Sequence, residues 1–89
     1  MKKAVALKIT GKVQGVGFRW HTKQTADTLN VSGFVKNQYD GSVYVEAVGE
    51  DFAIEQFTEW CKQGPSWARV DHINLSDLPL FEASGFKIK

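Results

Sequence analysis

The sequence predicts an α+β domain of the ferredoxin-like class. This is a βαββαβ sandwich in which an antiparallel sheet carries two helices on one face, plus a short extra C-terminal strand. Three observations lead to this prediction. The 89 residues leave room for one domain, which we expect to span 1–89. Segments in which apolar residues alternate are interrupted by two segments with helical periodicity. Glycine, proline, asparagine or aspartate separates most of these segments.

The first strand and the first helix are predicted from the spacing of their apolar residues. Alternation near the start of the chain gives a strand that ends at Gly11. Its buried face is expected to consist of Val5, Leu7 and Ile9. A helix fits residues 19–29, because apolar or small residues there recur at spacings of 4, 4 and 3. These residues are Phe18, Thr22, Ala26 and Leu29.

A β-hairpin follows. Its two strands are predicted from two alternating sets, Val31, Gly33, Val35 and Val43, Val45, Ala47. Residues 37–42 lie between them, and the Asp40-Gly41 step can supply the positive φ angle of a tight reversal.

A second helix fits residues 52–62, with Asp51 as its expected N-cap and Gly64-Pro65 as its stop. Its apolar stripe consists of Ile54, Phe57, Trp60 and Cys61. Two further strands are predicted near the end of the chain. The first rests on Val70, Ile73 and Leu75, whose uneven spacing leaves its register open, and the short last one rests on Phe86 and Ile88.

The charge and cysteine content exclude several function classes. The formal net charge is +1, so no broad basic field favours nucleic acid or an anionic membrane as a partner. A single cysteine and two histidines are too few for a structural zinc site, and they suit a reducing cytoplasm. The basic start has an apolar run too short for a signal peptide. We therefore expect a cytoplasmic protein, and a monomer is the simplest expectation.

The strongest local signal is a glycine-rich segment between the first strand and the first helix. Main-chain N–H groups freed by Gly15 and Gly17, at the positive end of a helix, can converge on a phosphate-sized anion. The segment is not a nucleotide-binding loop. Trp20 replaces the third glycine of the dinucleotide pattern, and Val13 replaces the serine or threonine of the P-loop pattern. A flexible turn with no ligand is the alternative.

Arg19 favours the interpretation that this segment binds an anion over the interpretation that it is a turn with no ligand. A cation in the first helical turn opposes the helix dipole, at a cost of about 0.3–1 kcal/mol, and a bound anion would remove that conflict. Its guanidinium also matches phosphate oxygens with two parallel hydrogen bonds. A surface arginine paired with a carboxylate is the alternative.

Residues 11–19 (GKVQGVGFR) closely resemble the signature of the acylphosphatase family. Residues 33–37 (GFVKN) resemble the other motif of that family, and Asn37 lies 18 residues after Arg19. The resemblance covers essentially the whole chain, through shorter matches at 40–43, 64–65, 68–70 and 85–88. The departures are mild: lysine stands at 12 and 36 where arginine is frequent, and phenylalanine at 34 where tryptophan is frequent. They bear on substrate preference more than on activity.

The resemblance implies a small hydrolase that cleaves carboxyl phosphates into a carboxylate and inorganic phosphate, without metal or cofactor. It implies that Arg19 binds phosphate and that Asn37 positions the attacking water. It also implies a phosphate-binding loop, here called the glycine loop, that consists of Gln14, Gly15, Val16, Gly17 and Phe18.

The residue types suit this chemistry. An acyl phosphate expels a carboxylate whose conjugate acid has a pKa of about 4, so no general acid is required. The protein has to stabilise the phosphoryl oxygens and position an in-line water, which amides, one arginine and one carboxamide can do. Taken alone, Asn37 would be interpreted as a residue that starts a turn.

The other candidates are weaker. His21 is expected at the surface, with a substrate-rim contact as the alternative, and His72 is expected to be structural. Cys61 is expected to be a small buried hydrophobe. The three tryptophans, Trp20, Trp60 and Trp67, are expected to pack in the core or at its edge.

Two rival functions remain open at this stage. A non-catalytic anion-binding or regulatory module would keep the glycine loop and Arg19 but would not need Asn37. An RNA-binding ferredoxin-like domain would need paired exposed aromatic residues and a basic face, and the sequence shows no such motif.

Overall fold

The computed structural model describes all 89 residues and contains five strands and two helices. In chain order they are β1 Lys2–Lys12, α1 Phe18–Leu29, β2 Ser32–Asn37, β3 Val43–Glu50, α2 Asp51–Gln63, β4 Arg69–Leu78 and β5 Phe86–Ile88. Each predicted element is present. Neither helix is long and apolar enough to cross a membrane.

The five strands form one sheet in the order β4-β1-β3-β2-β5. Neighbours among the first four strands are antiparallel, which confirms the predicted ferredoxin-like topology. The short β5 instead pairs with β2 in parallel, so the complete sheet is mixed. This parallel pairing places Ile88 opposite Val35, two residues before the end of β2 at Asn37.

Both helices pack against one face of the sheet, where the core lies. The predicted inward-facing residues of β1 and β3 are fully buried, as is Phe57 of α2. Burial of each such large apolar side chain stabilises the fold by about 1.5–3 kcal/mol. Phe18, the first residue of α1, belongs to the same core and packs against Trp60 with ring centroids 5.7 Å apart. This contact fixes the start of α1 relative to α2.

A β-bulge explains the uneven spacing in β4. Its pairing with β1 shifts register between Thr10 and Gly11, so that Asp71 is an extra residue in β4. Val70 and Ile73 therefore pair with residues that share one face of β1, although they are three positions apart. A strict period of two could not have predicted this register.

The predicted N-cap of α2 is wrong by one residue. Asp51 is the first helical residue and Glu50 occupies the N-cap position, with no side-chain capping bond. The Asp51 N–H donates to the main-chain oxygen of Met1 at 2.8 Å, which extends the β1–β3 pairing up to the first residue of the helix. The helix therefore begins directly where β3 ends.

Candidate active site

The glycine loop adopts a conformation that leaves its amides open. Gly15 and Gly17 have φ angles of 75° and 77°, in the left-handed region that glycine adopts without strain. The main-chain N–H groups of residues 14–17 donate to no acceptor in the protein. Unpaired amides that converge at the start of a helix form a site for an anion.

The N-terminus of α1 adds donors to the same place. Gly17 is the N-cap residue, and it has no side chain that could accept from the first N–H groups of the helix. The first turn contains no acidic residue. Arg19 is the second residue of the helix, and it forms no ion pair with an aspartate or glutamate side chain. The alternative of an ion-paired surface arginine therefore does not apply.

Arg19 is held from one side only. One terminal nitrogen, Nη1, donates to the main-chain oxygen of Lys89 at 3.3 Å, and no other hydrogen bond of the guanidinium is present. The remaining N–H groups are available to a ligand. A guanidinium fixed at one nitrogen loses less freedom when it binds phosphate oxygens in two parallel hydrogen bonds.

The side chain of Gln14 ties the glycine loop to the β2–β3 turn. Its Nε2 donates to the main-chain oxygens of Gln38 and Ser42, at 2.8 and 2.9 Å. Because Gln38 directly follows Asn37, these bonds fix the distance between the loop and the end of β2. The sequence assigned Gln14 to the loop but gave no reason to expect this tether.

Asn37 carries a buried acceptor that has no partner. Its Oδ1 is inaccessible to solvent and accepts no hydrogen bond within the protein. A buried carbonyl oxygen without a partner costs about 1–3 kcal/mol, so such atoms are rare unless function requires them. The atom belongs to the last residue of β2, at the end of the sheet where β1 leads into the glycine loop.

Five of the predicted site residues line one concavity of about 190 Å³: Gly15, Gly17, Phe18, Arg19 and Asn37. The side chain of Val16 instead packs against the core. Three further residues, Val13, Trp20 and Ile88, complete the lining. A larger concavity of about 850 Å³ lies at the opposite end of the sheet and contains none of the predicted site residues.

Both the sequence and the fold match those of one known family. The profile of the Acylphosphatase family matches residues 5–88. An acylphosphatase from Vibrio vulnificus is 46% identical over 80 residues, which cover 90% of this chain and 89% of that protein. The chain belongs to the acylphosphatase family. Two solved structures of acylphosphatases match the fold. The one from Coxiella burnetii has a TM-score of 0.95 and 34% identity, and it covers 99% of this chain and 93% of that chain. The one from Bacillus subtilis has a TM-score of 0.94 and 33% identity, and it covers 100% of this chain and 99% of that chain.

Family membership confirms the predicted activity: the protein is an acylphosphatase, an enzyme that hydrolyses small acyl phosphates. The rival of a non-catalytic anion-binding module is thereby set aside. The resemblance covers nearly the whole length of this chain and of these acylphosphatases.

The remaining titratable candidates lie outside the concavity. His72 is exposed and its Nε2 lies 3.1 Å from Oδ1 of Asn74, on the edge strand. Cys61 is fully buried, and burial raises the pKa of its thiol, so it is not a nucleophile at neutral pH. No three histidine, cysteine, aspartate or glutamate side chains come together as a metal-binding group.

The three tryptophans differ in their exposure to solvent. Trp60 packs against Phe18, as predicted for a core residue. Trp67 and Trp20 are 81% and 56% exposed, so the prediction that they pack in the core or at its edge is wrong for them. Trp20 lines the concavity that contains Arg19 and Asn37, in the first turn of α1.

Proposed function

We propose that Arg19 and the main-chain N–H groups of the glycine loop bind the phosphoryl group of an acyl phosphate, and that Asn37 positions the attacking water. The observation that carries this proposal is that Asn37 lines the same concavity as Arg19 with a carboxamide that forms no hydrogen bond within the protein. This carboxamide can therefore bind a water beside the phosphoryl group.

The reaction balances without a further co-reactant. The water oxygen forms a bond to phosphorus while the bond between phosphorus and the acyl oxygen breaks, and the electron pair of that bond leaves with the carboxylate. One water proton passes to a phosphoryl oxygen, so RCO–OPO₃²⁻ and H₂O give RCOO⁻ and H₂PO₄⁻. The leaving carboxylate needs no proton at neutral pH, since its conjugate acid has a pKa of about 4.

Charge stabilisation comes from groups that are already oriented. The Lys89 oxygen and the Gln14 tether hold the guanidinium and the loop in place before substrate binds. Preorganised donors aimed at the phosphoryl oxygens need no reorientation in the transition state. Asn37 acts through position alone, because a carboxamide has no useful basicity.

We further propose that residues 1–89 work as one monomeric domain in the cytoplasm, with no cofactor. One sheet, one core and a site assembled from β2, β5 and the start of α1 support this proposal. The unpaired Cys61 suits a reducing compartment.

A small molecule is favoured over RNA as the ligand. The open face of the sheet carries Phe34 and Tyr44, with ring centroids 6.0 Å apart, a pair that the sequence reasoning overlooked. The ammonium groups of Lys89 and Lys36 lie over these rings, at 4.2 and 5.8 Å from the centroids. The Tyr44 hydroxyl donates to Glu46 at 2.7 Å. Rings covered in this way are poor platforms for stacked bases.

The test of the mechanism is the release of inorganic phosphate from benzoyl phosphate by the wild type and Arg19→Lys. Lysine keeps the charge but loses the planar fork, so we expect kcat to fall about 10²–10³-fold. The matched control is Arg69→Lys, since Arg69 is exposed and paired with Asp71 at 2.8 Å. The control should retain full activity. Near wild-type turnover by Arg19→Lys would contradict the proposed role.

A further inference from the structure

Two apolar side chains in the site are not used by phosphate binding or by water positioning. Trp20 is 56% exposed and Ile88 is 41% exposed, and both line the concavity that contains Arg19 and Asn37. Large apolar side chains left open to solvent at the rim of a binding site mark a surface that a ligand covers.

The indole of Trp20 has a defined orientation. The ring of His21 meets it edge-on, with centroids 4.9 Å apart and an interplanar angle of 89°. The imidazole also lies against the glycine loop, since a Cβ atom built on Gly17 would be 3.6 Å from its Cδ2. His21 therefore contacts both the indole and the glycine loop.

Ile88 is held between anchored neighbours. It lies opposite Val35 in the β2–β5 pairing, and the next residue, Lys89, donates its N–H to the Val35 oxygen at 2.8 Å. The Lys89 oxygen in turn accepts from Arg19. The Ile88 side chain thus has a fixed position relative to the guanidinium that binds phosphate.

The lining of the concavity limits the chemistry of the group that leaves. Apart from Arg19, which the phosphoryl group occupies, no charged side chain is present in the lining. Gly15, Gly17 and Asn37 serve phosphate and water binding. Val13 and Phe18 are buried, so Trp20 and Ile88 supply the apolar surface that an acyl group can cover. A charged acyl group has no charged side chain left to pair with, whereas an aromatic ring could pack against the indole.

We infer that Trp20 and Ile88 form the subsite for the acyl group, and that this subsite favours acyl phosphates with apolar, above all aromatic, acyl groups. The inference rests on the proposed function, because the phosphoryl group must be bound by Arg19 and the glycine loop for the acyl group to reach Trp20. It adds a selectivity for substrate that the phosphate-binding groups cannot provide.

The experiment compares kcat/KM for benzoyl phosphate and acetyl phosphate in the wild type, Trp20→Ala and Trp20→Phe. For each protein, kcat/KM for benzoyl phosphate is divided by kcat/KM for acetyl phosphate. Comparing this ratio between the wild type and the variants cancels the different intrinsic reactivities of the two compounds. We expect Trp20→Ala to lower the benzoyl-to-acetyl ratio about tenfold, and Trp20→Phe to keep most of it. Ile88→Ala should lower the ratio in the same direction by a smaller factor.

Two controls separate selectivity from damage to the site. Trp67→Ala removes the more exposed tryptophan, which does not line the concavity, and should leave the ratio unchanged. Competitive inhibition by inorganic phosphate should be the same in Trp20→Ala and the wild type, because phosphate does not reach the acyl subsite.

Each outcome bears on a separate proposition. An unchanged ratio in Trp20→Ala, with acetyl and benzoyl phosphate both hydrolysed, overturns the acyl subsite and leaves the proposed function intact. A wild-type protein that hydrolyses neither compound overturns the proposed function instead. Weakened phosphate inhibition in Trp20→Ala, with an unchanged ratio, assigns Trp20 to the phosphate site and likewise overturns the inference.

Discussion

Replacement of Asn37 by alanine is expected to abolish most activity without loss of stability. The two effects separate because the side chain forms no hydrogen bond within the protein, while Asn37 lines the concavity that contains Arg19. A merely structural asparagine at the start of a turn would behave in the opposite way, since its removal would break bonds that stabilise the turn.

The stability change follows from the hydrogen bonds that Asn37 lacks. Alanine removes a buried, partnerless acceptor, which costs the folded state about 1–3 kcal/mol if no water satisfies it. A bound water would offset most of that cost, at an entropy penalty of at most about 2 kcal/mol. The free energy of unfolding should therefore stay constant or rise by about 1 kcal/mol, which corresponds to about 4–8 °C in Tm for a domain of this size.

The activity change follows from the loss of a positioned water. Removal of one group that positions or stabilises the reacting atoms lowers kcat about 10²–10³-fold, equivalent to about 2.7–4 kcal/mol of barrier. The KM for benzoyl phosphate should change little, because Arg19 and the glycine loop remain. The assay is phosphate release under saturating benzoyl phosphate, with urea unfolding of the same samples.

Thr58 provides the matched control. Its Oγ1 is the other buried side-chain polar atom without a partner, and it lies in α2 away from the concavity. Thr58→Val should raise the free energy of unfolding in the same way as Asn37→Ala and leave kcat unchanged. A loss of about 2 kcal/mol or more in the stability of Asn37→Ala would refute the reasoning, since that magnitude indicates broken structural contacts. Full activity in Asn37→Ala would refute it equally.

Three further predictions concern metal ions and pH. EDTA should leave phosphate release intact, because a carboxylate leaving group requires no Lewis acid; loss of activity with rescue by Mg²⁺ would contradict this. His21→Asn should leave the shape of the pH–rate profile unchanged, and an inflection that disappears in the variant would implicate His21 in the reaction. The hydrogen bond from Lys8, with those from the Ser42 hydroxyl and N–H, holds the pKa of Asp40 well below its usual value. The stability that Asp40 contributes is therefore present above about pH 4 and is lost as the pH falls below it. In urea unfolding, the stability difference between wild type and Asp40→Asn should shrink from pH 7 to pH 2.5, and a constant difference would show that Asp40 is not responsible.

Local periodicity was enough to predict the elements because the large inward-facing side chains of β1 and β3 stand at every second residue, and the buried residues of α1 recur at a spacing of four. It could not predict the register of β4, where the bulge at Asp71 breaks the period of two. The start of α2 was also misplaced, because Asp51 forms its decisive hydrogen bond with Met1, 50 positions away in the chain. Interactions between distant segments, rather than local preferences, decided both features.

The same difference between local and long-range interactions separates the site residues that could be predicted from those that could not. Gly15, Gly17 and Arg19 were predictable because they are neighbours in one segment with a recognisable anion-binding chemistry. Trp20 and Ile88 were missed as site residues because nothing in their own segments indicates that they meet. Ile88 reaches the concavity only through the parallel β2–β5 pairing. The only sequence signal for Trp20 was its position directly after Arg19.

The order in which the chain is synthesised gives β5 a particular importance. Arg19 is anchored to Lys89, 70 residues later, and β5 docks through the bonds Gly33 N–H to Gly85 oxygen and Lys89 N–H to Val35 oxygen. On the ribosome, the guanidinium of Arg19 therefore has no anchor until β5 has been synthesised and has docked. Recovery of phosphate release during refolding should accordingly report the docking of this strand.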